Sequence, residues 1–216
     1  MWSDFLHELS KNHLEVLTAL LQHIGISAAA IILGILVAIP LGIFLVYHHK
    51  LAKVVLSILG VINTLPSIVL LGLAMMFLGI GFIPAVAVLF LYSLLPIVRG
   101  TYTGICNVNP RCVKAAKGMG MSRIQMLRLV QLPLALPAII TGIRLSAVYI
   151  ISWATLAAFI GGGGLGDLIW MGLQSYNFGL MLCGALPATA LALLVSALLN
   201  LVIRVVGKHK GGEVAA

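Results

Sequence analysis

Charged positions divide this chain into long apolar stretches. No Asp, Glu, Lys or Arg occurs between Glu15 and Lys50, between Lys53 and Arg99, between Arg144 and Asp167, or between Asp167 and Arg204. A helix of about 20 apolar residues rises ~30 Å and crosses a bilayer, and a charge at its centre costs about 2.5–3.5 kcal/mol. The pattern predicts an all-α polytopic membrane protein with five transmembrane helices, near 19–46, 54–78, 82–99, 138–160 and 180–206. The second charge-free stretch is too long for one crossing, and Gly79, Gly81 and Pro84 supply a turn inside it. Residues 1–17 are too charged to cross. Trp2, Phe5, Leu6 and Leu9 recur there at helical spacing, which predicts an amphipathic helix lying on the interface.

Composition agrees with this division: 62% of the 216 residues are hydrophobic and only 8% charged, at a mean hydropathy of +1.17. A soluble domain carries about 25% charged residues. The transmembrane domain is expected over 18–206, with a basic tail at 207–216, which leaves no length for a soluble domain. The net charge of +8 comes from residues flanking the spans, which favours orientation in an anionic membrane over nucleic-acid binding. Alternate connections hold 11 Lys and Arg against one, Lys11, with Arg144 at the inner edge of the fourth span. The positive-inside bias then sets the N-terminus outside and the C-terminus in the cytoplasm. The N-terminus lacks a basic n-region and a small-residue cleavage site, so the first span is expected to be retained. Cys106, Cys112 and Cys183 have neither disulfide nor zinc spacing.

Small residues mark packing faces. Ala30, Gly34, Ala38 and Gly42 recur every fourth residue in the first span, and Gly184, Ala188, Ala192 and Ser196 in the last. Such stripes let helix backbones approach closely in lipid. Intrachain packing is the expectation for both, ahead of a dimer seam.

The connection 100–137 holds the strongest functional signal. Asn109 and Pro110 form an N-cap and first helical residue, and the short helix they start should end near Gly118 and Gly120. Ser122 and Gln125 have the spacing of a capping box, and their helix is expected to stop near Leu132, before Pro133 and Pro137. Two helices this short are unstable alone in water, so the bundle or a partner must hold them. Ala115, Ala116 and Gly118 offer a small-residue face for insertion into a groove, with Met119 and Met121 as adaptable apolar contacts. A basic loop touching lipid headgroups is the alternative.

Catalytic chemistry is absent from the pattern. No P-loop sequence occurs, and Gly161-x-Gly163-x-x-Gly166 follows a membrane helix rather than the strand a dinucleotide site needs. These glycines, with Gly164, are expected to turn the chain at the outer face and to contribute to an external gate. Asp167 beside them either attracts cations or, preferably, caps the segment 168–173. The six histidines lie at span edges or in tails by this reading, without a ligand set, so no metal site is expected. Within the spans, Asn63, Thr64 and Ser67 surround Pro66, and Ser146, Tyr149, Ser152 and Thr155 step by threes along the fourth helix. A translocation path and structural hydrogen bonding explain either set equally well. Trp153, Trp170, Tyr176 and Phe178 are read as an interfacial belt in preference to a cation–π site. No acidic residue lies deep in a span, which favours an external motor over proton or sodium coupling.

The run from Val113 to Ser122 (VKAAKGMGMS), continuing to Gln131–Pro137 (QLPLALP), resembles the EAA loop of type I ABC-importer permeases. Ala115, Ala116, Gly118, Leu132 and Pro133 fit its register, while Lys114 stands where the family often has Glu. Residues 63–67, 91–104 and 161–169 are similar to the osmoprotectant branch, whose members import glycine betaine, carnitine and choline. The resemblance implies the five-helix permease fold of the methionine-importer (MetI-like) type in a bacterial or archaeal inner membrane. It also implies that Lys114, Ala115, Ala116, Gly118, Met119, Gly120, Met121, Ser122, Leu132 and Pro133 couple to a cytoplasmic ATPase dimer. The implied partners further include a second permease subunit, identical or homologous, an extracytoplasmic solute-binding protein and membrane lipid. ATP and Mg would sit on the ATPase, with no cofactor on this chain. An acidic ATPase residue opposite Lys114 is the matching expectation. A permease for methionine or another amino acid is the alternative within the class; a self-sufficient channel or carrier, or a membrane enzyme, lies outside it.

Overall fold

The computed structural model describes residues 2–211, with side chains over 4–206. Among the described residues it is all helix. A short α1 (Trp2–Lys11) leads into α2 (His13–Val46), followed by α3 (His49–Thr64), α4 (Ser67–Leu78) and α5 (Phe82–Cys106). The chain then forms α6 (Pro110–Gly118), α7 (Arg123–Met126), α8 (Leu132–Ala154), α9 (Leu165–Gln174) and α10 (Phe178–Gly211). Four helical stretches are long and apolar enough to cross a membrane, and α3 with α4 makes a fifth when the bent pair is one span.

Several edges and one span differ from the sequence reading. Residues 13–17 belong to α2, and α5 continues past Arg99 to Cys106. The second span is broken, with α3 and α4 meeting at 95°. Pro66 has no N–H for a helical bond, and Leu65 before it is held extended at φ −68° and ψ 139°. The Leu65 carbonyl set free by the break accepts the Tyr92 hydroxyl at 2.7 Å, so the buried Tyr92 closes the gap from α5.

The core forms where α5 is clasped by α2 and α8. The predicted stripe of the first span is buried along its length: Ala30, Gly34, Ala38 and Gly42 all face inward. A Cβ on Gly34 would collide with Ser93 Oγ, and one on Gly42 would lie 2.7 Å from Thr101 Cβ. This stripe is intrachain packing. On the other side of α5, Gly100 and Gly142 touch backbone to backbone, and a Cβ on Gly142 would sit 2.7 Å from the Pro96 carbonyl oxygen. The last-span stripe also turns inward at Gly184 and Ala188, against Leu165 and Ile169 of α9. Lower in α10, Asn200 Oδ1 accepts a hydrogen bond from Arg144 of α8.

α1 packs on the α9–α10 junction. Phe5 and Leu9 join the cluster of Leu165, Leu168 and Cys183, and Asn177 Nδ2 donates to Glu8 Oε1 at 2.9 Å. The side chain of Trp2 and those of the 207–216 tail lie outside the described residues, although α10 carries the backbone to Gly211.

Three substitutions test this core by thermal unfolding in detergent, followed by Trp fluorescence. Gly142→Val is expected to separate α5 from α8 and cost about 1–3 kcal/mol or more, whereas Gly60→Ala, whose Cβ meets nothing within 4 Å, should leave the midpoint unchanged or raised. Tyr92→Phe orphans the Leu65 carbonyl and is expected to cost about 1–3 kcal/mol.

Candidate functional site

The α6–α7 hairpin is built by its caps. Asn109 Oδ1 accepts the Arg111 N–H at 2.9 Å, Pro110 opens α6, and the helix closes at Gly118. Gly120 takes φ +75°, a left-handed conformation that a side chain would resist, and this turns the chain towards α7. Ser122 Oγ accepts the Gln125 N–H at 3.3 Å while Gln125 Oε1 accepts the Ser122 N–H at 2.8 Å, which completes the predicted capping box. The expected stop near Leu132 does not occur. A π turn, Leu127–Gln131, carries α7 into α8 with Leu132 N–H bonded back to Leu127 O, and its wider backbone lets the helix run through Pro133, whose missing N–H forgoes one helical bond. Pro137 is accommodated inside α8. The hairpin is therefore continuous with a membrane-spanning helix.

Val113, Leu127 and Leu132 hold the hairpin to the bundle, packed on Ile105, Val108, Ala135 and Ile139. Ala116 is 1% exposed, so it is not part of an outward small-residue face. Lys114, Ala115, Lys117, Gly118, Met119, Gly120 and Ser122 are exposed, and Met121, Leu132 and Pro133 are half-buried. A Cβ added to Gly118 would meet nothing within 4 Å.

The path candidates divide between two grooves. Asn63 and Tyr149 line a cavity of about 520 Å³ between α3, α5 and α8, together with Arg99, Thr103 and Thr141. Ser152 and Thr155 line a second groove, facing Ala185, Ala188 and Thr189 of α10. Ser146 is buried and donates to the Ser93 carbonyl at 3.2 Å. Thr64, Pro66 and Ser67 stay at the break, with the Thr64 hydroxyl bonded to Val61 O at 2.7 Å. Trp153 is not part of a surface belt: it packs on the α2–α5–α8 core, edge-on to Tyr92 at 4.6 Å and stacked on Tyr149 at 5.6 Å. Trp170, Tyr176 and Phe178 are exposed.

At the opposite end from α6, α8 tightens into a 3-10 turn, Thr155–Ile160, and Gly161–Gly164 turn the chain into α9. Gly161, Gly163 and Gly164 have φ of +66°, +81° and +92°, as the predicted turn requires. Gly166 lies so close to the Thr155 carbonyl that a Cβ would collide with it. Asp167 does not cap the following helix. α9 already begins at Leu165, and Asp167 sits in its first turn, where partial burial pushes its carboxyl above the usual range.

Sequence reasoning missed the residues that hold this turn. Gln22 Oε1 accepts the Gly164 N–H at 3.1 Å, and His23, fully buried rather than at a span edge, bonds through Nε2 to the Ile151 carbonyl at 3.0 Å. A carbonyl only accepts, so Nε2 carries the proton. The available signal was a polar pair standing alone in an apolar run.

Comparison with known proteins identifies the fold's family. Residues 30–210 match the model of the binding-protein-dependent transport system inner membrane component. The chain belongs to that family. Relatives include the choline transport system permease protein OpuBB of Bacillus subtilis, 49% identical over 87% of this chain and 86% of the relative. The carnitine transport permease protein OpuCB of Listeria monocytogenes is 48% identical over 81% of this chain and 80% of its own length. The fold is shared with an inward-facing MetNI methionine ABC transporter, at TM-score 0.77 and 20% identity over 88% of this chain and 95% of that one. An amino acid ABC transporter solved with histidines superposes with TM-score 0.75 at 22% identity, covering 93% and 97% of the two chains. As a member of this family the chain is a multi-pass inner-membrane permease.

Removal of the caps should loosen the hairpin without unfolding the bundle. Ser122→Ala and Asn109→Ala are each expected to cost about 0.5–2 kcal/mol locally, read as faster amide hydrogen exchange confined to residues 110–126.

Proposed function

We propose that this permease is the membrane subunit of an ATP-driven importer for quaternary-amine osmoprotectants: glycine betaine, carnitine and choline. The observation that carries the coupling role is Gly118. It lies on a doubly capped, outward-facing hairpin, and nothing in its own chain requires a glycine there. Close approach by another protein supplies the missing reason. The substrate class rests on the relatives' names and on their identity of up to 49%.

In this reading two permease subunits, identical or homologous, enclose the path, and two ATPases receive the hairpins. The charge bias places the α6–α7 end and the C-terminus in the cytoplasm and the N-terminus outside. ATP and Mg bind the ATPases; this chain is non-catalytic and binds no cofactor. An external binding protein delivers solute at the α9 end, where Gly161, Gly163, Gly164, Gly166 and Asp167 form part of the gate. Because the hairpin runs through the π turn into α8, ATPase closure moves a helix that lines the groove. Lys114 is exposed in α6 and meets an acidic residue of the ATPase.

Three measurements test this. Gly118→Asp is expected to abolish solute uptake and ATPase co-purification while the chain still inserts and unfolds at the wild-type temperature; normal uptake would overturn docking at this position. Lys114→Glu should weaken ATPase co-purification, and an ATPase carrying the reciprocal acidic-to-basic change should restore it. The purified chain alone in liposomes should move no solute even with ATP, and uptake without added subunits would instead identify a self-sufficient carrier.

A further inference from the structure

Between α3, α5 and α8 the structure brings together features that charge spacing alone kept apart. The groove of about 520 Å³ falls within the range of about 300–1,000 Å³ typical of small-molecule sites. Arg99, exposed on α5, is among its lining residues, and its guanidinium has no hydrogen-bond or ion-pair partner among the described residues. An unpaired guanidinium lining a groove is open to an anionic partner. Arg144, the other arginine of the core helices, is satisfied by Asn200.

Further along the groove is Tyr149, 41% exposed, with one ring face stacked on Trp153. Trp153 is braced edge-on by Tyr92, and Tyr92 is tied through its hydroxyl to Leu65 O at the broken span. This ladder fixes the phenol and leaves its second face to the groove. Gly100 touches Gly142, so Arg99 lies level with Gly142, and Tyr149 is seven residues further along α8, about 10 Å by helical rise. α3, α5 and α8 contain no Asp or Glu. A cation in the groove therefore meets a ring face and polar oxygens, with no carboxylate to hold it permanently.

We propose that this groove is a transit site for a quaternary-ammonium zwitterion, whose trimethylammonium group lies on the free face of Tyr149 and whose carboxylate meets Arg99. The inference rests on the importer reading above. A trimethylammonium group cannot donate hydrogen bonds, which leaves cation–π contact as its main specific attraction, while a guanidinium pairs a carboxylate in fork geometry. The permease thereby adds its own discrimination between zwitterionic and purely cationic solutes, separate from that of the binding protein.

The test is uptake of radiolabelled glycine betaine and choline by the complete importer in proteoliposomes, each at a concentration that saturates the binding protein and normalised to assembled complex. Tyr149→Leu is expected to lower uptake of both solutes about tenfold, and Tyr149→Phe, which keeps the ring, to restore it to within about twofold of wild type. Arg99→Gln is expected to lower glycine betaine uptake about tenfold relative to choline, a ratio independent of protein yield. Wild-type importer that moves neither solute would overturn the function itself. Uptake that persists in Tyr149→Leu, an unchanged solute ratio in Arg99→Gln, or a wild-type importer that moves choline alone would overturn the transit site while leaving the importer reading intact.

Discussion

The approach of α5 to α2 on one side and to α8 on the other is the contact on which the rest of this structure depends. Lipid offers no hydrophobic drive to pair apolar helices, so association rests on van der Waals fit and hydrogen bonds. Gly34 and Gly42 admit Ser93 and Thr101 from one side, and Gly100 and Gly142 meet as bare backbone on the other. Larger side chains at these points would widen the bundle, and the groove that opens beside Gly142 would lose its floor.

Three breaks in regular structure are repaired by a group from another element, as a low-dielectric environment demands. Tyr92 reaches from α5 to the carbonyl freed at Leu65, and His23 reaches from α2 to Ile151 just before α8 tightens. Gln22 supports the Gly161–Gly164 turn in the same way. These repairs bind the two ends of the molecule to its core. The broken span is linked through Tyr92 and Trp153 to Tyr149, and the glycine turn is linked to α2. A shift of α8 in the proposed transport cycle would therefore be felt both at the groove and at the turn.

Much of the architecture was legible because membranes make sequence patterns strict. Charge-free runs marked the spans, and small residues four apart marked the buried face of α2. The caps at Asn109 and Ser122 marked a hairpin that folds as its side-chain chemistry requires. Where the reading failed, local rules met tertiary compensation. Pro133 was taken as a helix stop, yet the π turn before it lets the helix run through into α8. Pro66 did break its span, but only the 95° bend turned that break into a corner.

By itself the sequence determined which segments can enter the bilayer, where the two hairpin helices begin, and that this capped basic hairpin stands outside the spans, because burial of charge and unsatisfied backbone groups are penalised locally. The tertiary structure alone decided that Ala116 faces inward and that Ser152 parts company with Tyr149. It also placed Trp153 on the core and Arg99 in a groove with an aromatic ring. Those outcomes depend on which faces of separate helices meet, and helical periodicity leaves each face free until a neighbouring backbone comes close enough to choose it.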